Sequence, residues 1–319
     1  MTQPKNNYKD MNNLIVQYNL NKGKVMMAMP EYYQAFKQRI EQSKLLHNQI
    51  QPFQFGNPLE HVVSIKVKQD GCDASGFCCE DRPYSLVGDI AVICFHGFVV
   101  SNCSEDEEEE YGCISLQRFC QKLQAAADDE MVKVIVVDFD SGGGYTGYSE
   151  ETCQLIKELS IKKPIYAYSS NMVCSMAYAV ACNCNYLVVS PSTLVGSVGT
   201  YCEYLTYNGS SELSKDGVTV SNLENLGVTV TTFQGGTQKT IGSETIALSK
   251  EQRDLIMSEI TDMNNEFKSM VNTNRNGVKD EFMQGQPFYG KEALKLGTNL
   301  VDGTVNSLAQ FLQFISSNK

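Results

Sequence analysis

From Asp89 onward, short apolar runs alternate with amphipathic stretches. DIAVICF (89–95), VKVIVVDF (132–139), PIYAY (164–168) and YLVV (186–189) have strand length and are almost continuously apolar. That is the pattern of strands buried on both faces. Between and beside them, ISLQRFCQKLQAA (114–126), SEETCQLIKELS (149–160) and CSMAYAVAC (174–182) read as helices. Repeated β–α alternation predicts an α/β fold around a largely parallel sheet. Downstream, Ile256, Ile260, Met263, Phe267 and Met270 recur at spacings of 4, 3, 4 and 3, one face of a long amphipathic helix. A second apolar helix is expected around Leu308–Phe314. The first 60 residues are Asn- and Gln-rich, with one helical stretch from Pro30 to about Leu46 striped by Tyr33, Phe36, Ile40 and Leu45. The predicted organisation is an arm with one helix over 1–60, a linker over 61–88 and the main domain over 89–319.

Charge narrows the partners. With 26 Lys+Arg against 37 Asp+Glu among 319 residues, the net charge is −11, which excludes nucleic acid or anionic lipid as the main partner. No apolar stretch approaches the ~18 residues of a spanning helix, and MTQPKNNYKDMNN is too polar for a signal peptide. The expectation is a cytoplasmic chain without membrane insertion. All 12 cysteines fall between Cys72 and Cys202, several inside apolar segments, so they are read as free thiols in a reducing compartment. Cys72, Cys78 and Cys79 lack a paired CxxC, and no metal is expected there. The run SEDEEEE (104–110) is read as a solvated loop whose charges favour the start of the next helix.

Three places bear on chemistry. DFDSGGGYTG (138–147) is a glycine cluster between a strand and a helix, where successive backbone N–H groups favour negative charge. Neither a P-loop lysine nor GxGxxG spacing is present, so no cofactor is implied, and an oxyanion hole uses the same physics. Ser175 stands at the predicted start of a helix that follows a strand. A nucleophile can be exposed there, although a helix N-cap serine would look the same. TTFQGGTQKTIGS (231–243) carries Lys239 after a Gly-Gly turn. The three histidines, His47, His61 and His96, all precede Ser175 and support a Ser-His-Asp triad poorly. A Ser-Lys dyad is the known alternative. Lysine is protonated in neutral water, so a lysine base must be desolvated.

Together these segments resemble the signal peptide peptidase A (protease IV-like) serine peptidases, which include phage capsid maturation proteases. The resemblance spans about residues 88–310. VKVIVVDFDSGGG resembles the family's strand and Ser-Pro-Gly-Gly turn, with Gly142 where proline is usual. The segment from KKPIYAYSS to STLVGSVG resembles its nucleophile region, GVTVTTFQGGTQKTIGS the strand and turn that bring the catalytic lysine, and FYGKEALKLGTNLVDG its closing segment. The resemblance implies a Clp protease/crotonase-like superfold of repeated β-β-α units with an added N-terminal helical arm, usually assembled in rings. It implies Ser175 as nucleophile, Lys239 as base, Ser197 orienting the lysine, and Gly143, Gly144 and Met176 at the oxyanion. The implied partners are a peptide or protein substrate, further copies of the chain, and a capsid or scaffold protein. Phage head maturation and signal-peptide degradation both fit, while a crotonase-like acyl-CoA enzyme and a non-catalytic capsid component are the rivals of other classes.

Overall fold

The apolar runs form the middle of an eight-stranded sheet. The computed structural model describes residues 26–46, 82–203, 234–241 and 246–318. His47, His61, Cys72, Cys78, Cys79 and the strand-like run 227–233 lie outside them. β1 (Met26–Ala28) and α1 (Pro30–Leu46) are followed by β2 (Ser85–Val87), β3 (Ile90–His96) and β4 (Phe98–Val100). Next come α2 (Glu105–Tyr111), β5 (Cys113–Ser115), α3 (Leu116–Asp128), β6 (Val134–Ser141), β7 (Gly143–Tyr145) and α4 (Ser149–Lys162). β8 (Ile165–Cys174), α5 (Met176–Ala181), β9 (Tyr186–Val189), β10 (Leu194–Gly196) and α6 (Lys250–Arg275) follow. β11 (Pro287–Tyr289), α7 (Gly290–Lys295), β12 (Gly303–Thr304) and α8 (Leu308–Ser317) end the chain.

β3, β6 and β8 pair in parallel, and β8 then divides its far edge between β9 and β10. A second, four-stranded sheet has the order β1-β7-β4-β5. The chain passes twice from the large sheet to the small one and then into helix: β3 to β4 and on to α3, and β6 to β7 and on to α4. These are the repeated β-β-α units of the expected superfold. Gly97, between β3 and β4, has φ 103°, and a Cβ there would lie 2.5 Å from the Gly112 carbonyl oxygen, so this crossing requires glycine.

Strand parity sorts the core. Ala91, Ile93 and Phe95 of β3 and Ile135, Val137 and Phe139 of β6 face α3, α4 and α5. Ile90, Val92, Val134, Val136 and Tyr168 face the other way, under Phe311, Leu312 and Ile315 of α8. Arg275, 4% exposed, ends α6 in an ion pair with Asp302 at 2.7 Å. Asp302 also accepts the Leu187 N–H, and Tyr178 Oη of α5 donates to the Leu300 carbonyl, so the closing segment is bolted to the helix after Ser175.

Three expectations change in detail. The acidic run is a helix rather than a loop: Ser104 caps it in a capping box with Glu107, four acidic residues fill its first turn, and Gly112 ends it in the left-handed region. The linker's last residues belong to the body, because β2 pairs with β3. The arm is docked as well as helical. Tyr33, Phe36 and Ile40 are buried with Phe98, Val100, Tyr111 and Tyr145, and the Phe36 and Phe98 rings stack at 4.1 Å. Each such burial is worth about 1.5–3 kcal/mol, which fastens α1 to the small sheet. The nine described cysteines are free, seven of them buried. Among the described residues no helix is long and apolar enough to cross a membrane.

Candidate active site

β8 ends at Cys174 and α5 begins at Met176, so a single residue, Ser175, turns strand into helix. It does so at φ 55° and ψ −120°. A non-glycine residue held there costs about 1–3 kcal/mol and persists only where its surroundings over-determine it. Those surroundings are visible. The Ser175 N–H donates to the Gly196 carbonyl at 2.8 Å, its own carbonyl accepts from the Ala179 N–H at 2.8 Å, and all six residues of α5 are buried. A sharp strand-to-helix turn of this kind raises a nucleophilic oxygen off the sheet.

The side chain itself is idle. Ser175 is 1% exposed, yet among the described residues its Oγ has no hydrogen-bond partner, and it makes no capping bond to α5. Buried hydroxyls are ordinarily bonded, and an N-cap serine would be. The N-cap reading of this residue therefore fails on geometry.

Around Ser175 the structure gathers four of the other five residues expected at the site. Gly196 of β10 is the register partner of Cys174, so Ser197 continues its strand beside Ser175. Ser197 also has a positive φ, 50°; its N–H donates to the Gln286 carbonyl and its Oγ donates to the Gly285 carbonyl at 3.0 Å. The one hydroxyl proton is thereby spent, leaving lone pairs to accept a donor. Ser141 pairs in register with Val173, which brings the glycine turn to the same end of the sheet. Gly144 packs so closely on β4 that a Cβ would lie 2.2 Å from the Val99 oxygen. The Gly143 N–H donates to Ser141 Oγ at 3.2 Å, so it is already engaged. Met176 opens α5, and helix geometry leaves its N–H without an intrahelical acceptor. β7 and α5 lie against each other.

Lys239 makes no hydrogen bond with Ser175 Oγ. It is exposed on the turn 234–241, which Gln252 of α6 holds by donating to the Thr237 carbonyl at 2.8 Å.

One pair escaped the sequence reading. His96 Nε2 lies 3.4 Å from Asp138 Oδ2. Both residues have the strand parity of Val92 and Val136, on the sheet face opposite α5, so this pair gives Ser175 no base. Only the register of β3 on β6 brings them together, and the signal was their position at the ends of two predicted parallel strands. Burial works against the charged imidazole, but the hydrogen bond and charge of Asp138, with Asp140, outweigh it and raise the His96 pKa. Since the folded value lies above the unfolded one, the pair stabilises fully below ~6.5 and fades as pH rises through the folded value. With side chains 30% and 20% exposed, its worth is about 0.5–1 kcal/mol. His96→Asn should therefore lower the urea midpoint at pH 5.5 and leave it nearly unchanged at pH 9. An equal loss at both values would remove the charge from the explanation.

With the serine turn and its companions in place, the comparison with known proteins is direct: the peptidase family S49 model matches residues 157–313. Over these residues the chain is similar to peptidase family S49. The matched segment includes Ser175, Ser197 and Lys239 and begins after the glycine turn. Protease 4 of Haemophilus influenzae is 27% identical over 226 residues, covering 69% of this chain and 33% of that protein. Capsid assembly protease C of Escherichia phage lambda is 25% identical over 229 residues, 71% of this chain and 48% of the phage protein. A putative signal peptide peptidase SppA of Enterococcus faecium is 28% identical over 194 residues, 58% of this chain and 51% of its own. The chain thus spans a third to about a half of the length of these relatives. Among solved structures, a ClpP1 variant from Listeria monocytogenes overlays with a TM-score of 0.41 at 9% identity, covering 68% of this chain and 92% of the other.

Proposed function

We propose that this chain is an S49-type serine endopeptidase with a Ser-Lys dyad, acting on unfolded or extended protein segments. The observation that carries the reading is the Ser175 hydroxyl, buried on a strained turn and without a hydrogen-bond partner among the described residues. A crotonase-like acyl-CoA enzyme or an inert scaffold component would have no use for it. In the proposed reaction Ser175 Oγ attacks the peptide carbonyl carbon, and its proton passes to the Lys239 amine. The C–N bond then breaks, the leaving amine takes that proton, and water releases the acyl group by the reverse assistance. The N–H groups of Met176 and Gly144 receive the oxyanion, joined by Gly143 once it lets go of Ser141. Ser197, its own proton committed to Gly285, accepts a hydrogen bond from the lysine and aims it.

Lys239 has to reach Ser175, either by closure of its turn or from a neighbouring copy within a ring. The capsid assembly protease among its relatives supports head maturation as the biological setting, with a capsid or scaffold protein as substrate. The test is labelling by a fluorophosphonate probe, with the modified residue identified by mass spectrometry. Modification at Ser175 supports the reading, and no label on a folded chain that also leaves casein intact removes it. Mixing Ser175→Ala with Lys239→Ala chains decides where the lysine comes from, because recovered activity requires a site shared between copies.

A further inference from the structure

β7 carries Gly143 and Gly144 and lies against α5, the helix that Ser175 heads. One of its edges is taken by β4. Without β1, the other edge would be free beside the Ser175 turn, since β7 would then end the small sheet. An extended peptide docks on such an edge as an added strand, main-chain hydrogen bonds giving affinity and alternate side chains specificity. The chain's own residues hold that place. Met26–Ala28 run antiparallel to β7 with Met27 opposite Gly144 and Ala28 opposite Gly143, and the Met29 N–H continues the contact to the Gly142 carbonyl at 2.9 Å. β1 also lies against α5.

The fit is built in. A Cβ on Gly142 would lie 2.6 Å from Cγ of the Tyr32 ring, so the bare glycine is what lets the start of α1 settle on the turn. α1 is anchored by Phe36 and Ile40, and Met29 alone separates it from β1. So short a tether gives β1 a millimolar-range effective concentration at β7, and even a weak strand will compete there.

We propose that Met26–Ala28 is an internal occupant of the substrate-strand position, which an extended substrate must displace from β7 while α1 stays docked. The proposal rests on the peptidase reading for the identity of the competing ligand. In the full chain, Met27→Pro introduces a residue that cannot donate to a ladder and is excluded from paired strands. Its KM for an unstructured peptide should fall at least fivefold with kcat unchanged, while Met27→Val stays at the wild-type value. A synthetic peptide of residues 21–28, NKGKVMMA, should then inhibit Met27→Pro competitively. Hydrogen exchange supplies a readout independent of turnover: the Gly144 amide, opposite Met27, should exchange faster in Met27→Pro and be protected again by the peptide or by reduced, alkylated casein. Met27→Gly, which weakens a strand but keeps its N–H, should shift KM the same way by a smaller factor and serves if the proline variant does not fold. Faster exchange with an unchanged KM, or no protection by casein, overturns the proposal. Protection by casein with no hydrolysis by any variant would instead overturn the peptidase reading and leave the strand exchange standing.

Discussion

Ser175→Ala should lose at least ~10³-fold in peptide hydrolysis and all fluorophosphonate labelling, while melting no lower than the wild type. The two halves of this expectation have one cause. A buried hydroxyl left without a partner costs about 1–3 kcal/mol, and Ser175 Oγ is such a group. Deleting it removes the nucleophile and relieves that cost, while the turn stays held through main-chain bonds to Gly196 and Ala179. A serine with a structural task would behave in the opposite way, losing stability and keeping turnover. Activity assays and thermal melts on the same preparation separate the two. Residual cleavage near the wild-type rate would end the assignment.

The second large effect is expected at Lys239. As the proposed base it must give up and regain a proton, which an amine does and a guanidinium does not. Lys239→Arg should therefore be as inactive as Lys239→Ala, with turnover down ~10²–10⁴-fold. Fold stability should hardly move, because the side chain is exposed and substitutions at such positions usually stay within about 0.5 kcal/mol. The discriminating measurement is kcat for the two variants alongside their melting curves. An arginine variant with substantial turnover would take Lys239 out of the reaction and direct attention to another proton acceptor near Ser197.

What the sequence disclosed follows from where the physical signal lies. β3 and β6 were legible because both of their faces are largely covered, so apolar residues run on without alternation. β4, β5 and β7 have three residues each, and two of the three in β7 are glycine. Such strands carry almost no side-chain pattern, and the small sheet was invisible for that reason. The helix over Pro30–Leu46 showed its stripe, but its docking did not, because β1 meets β7 through main-chain groups that every sequence possesses. The sequence shows Gly142 only as a glycine where proline is usual, whereas the space it leaves is filled by Tyr32. At the site, the position of Ser175 between a strand and a helix was readable from residue order. That its hydroxyl is unbonded among the described residues, by Lys239 as by the others, depends on atomic positions that no spacing rule encodes.

The contact between Gly142 and Tyr32 reaches beyond this molecule. A side chain at position 142 and an aromatic ring at position 32 compete for one volume, so among related chains the two positions should vary as a linked pair. Where proline occupies the turn, the residue matching Tyr32 should be small, or the preceding segment should travel elsewhere. Where glycine and an aromatic ring occur together, the N-terminal strand should lie along the glycine turn. Two letters read from a genome would then sort related chains by how their N-terminal segments meet the serine turn, before any of their structures is determined.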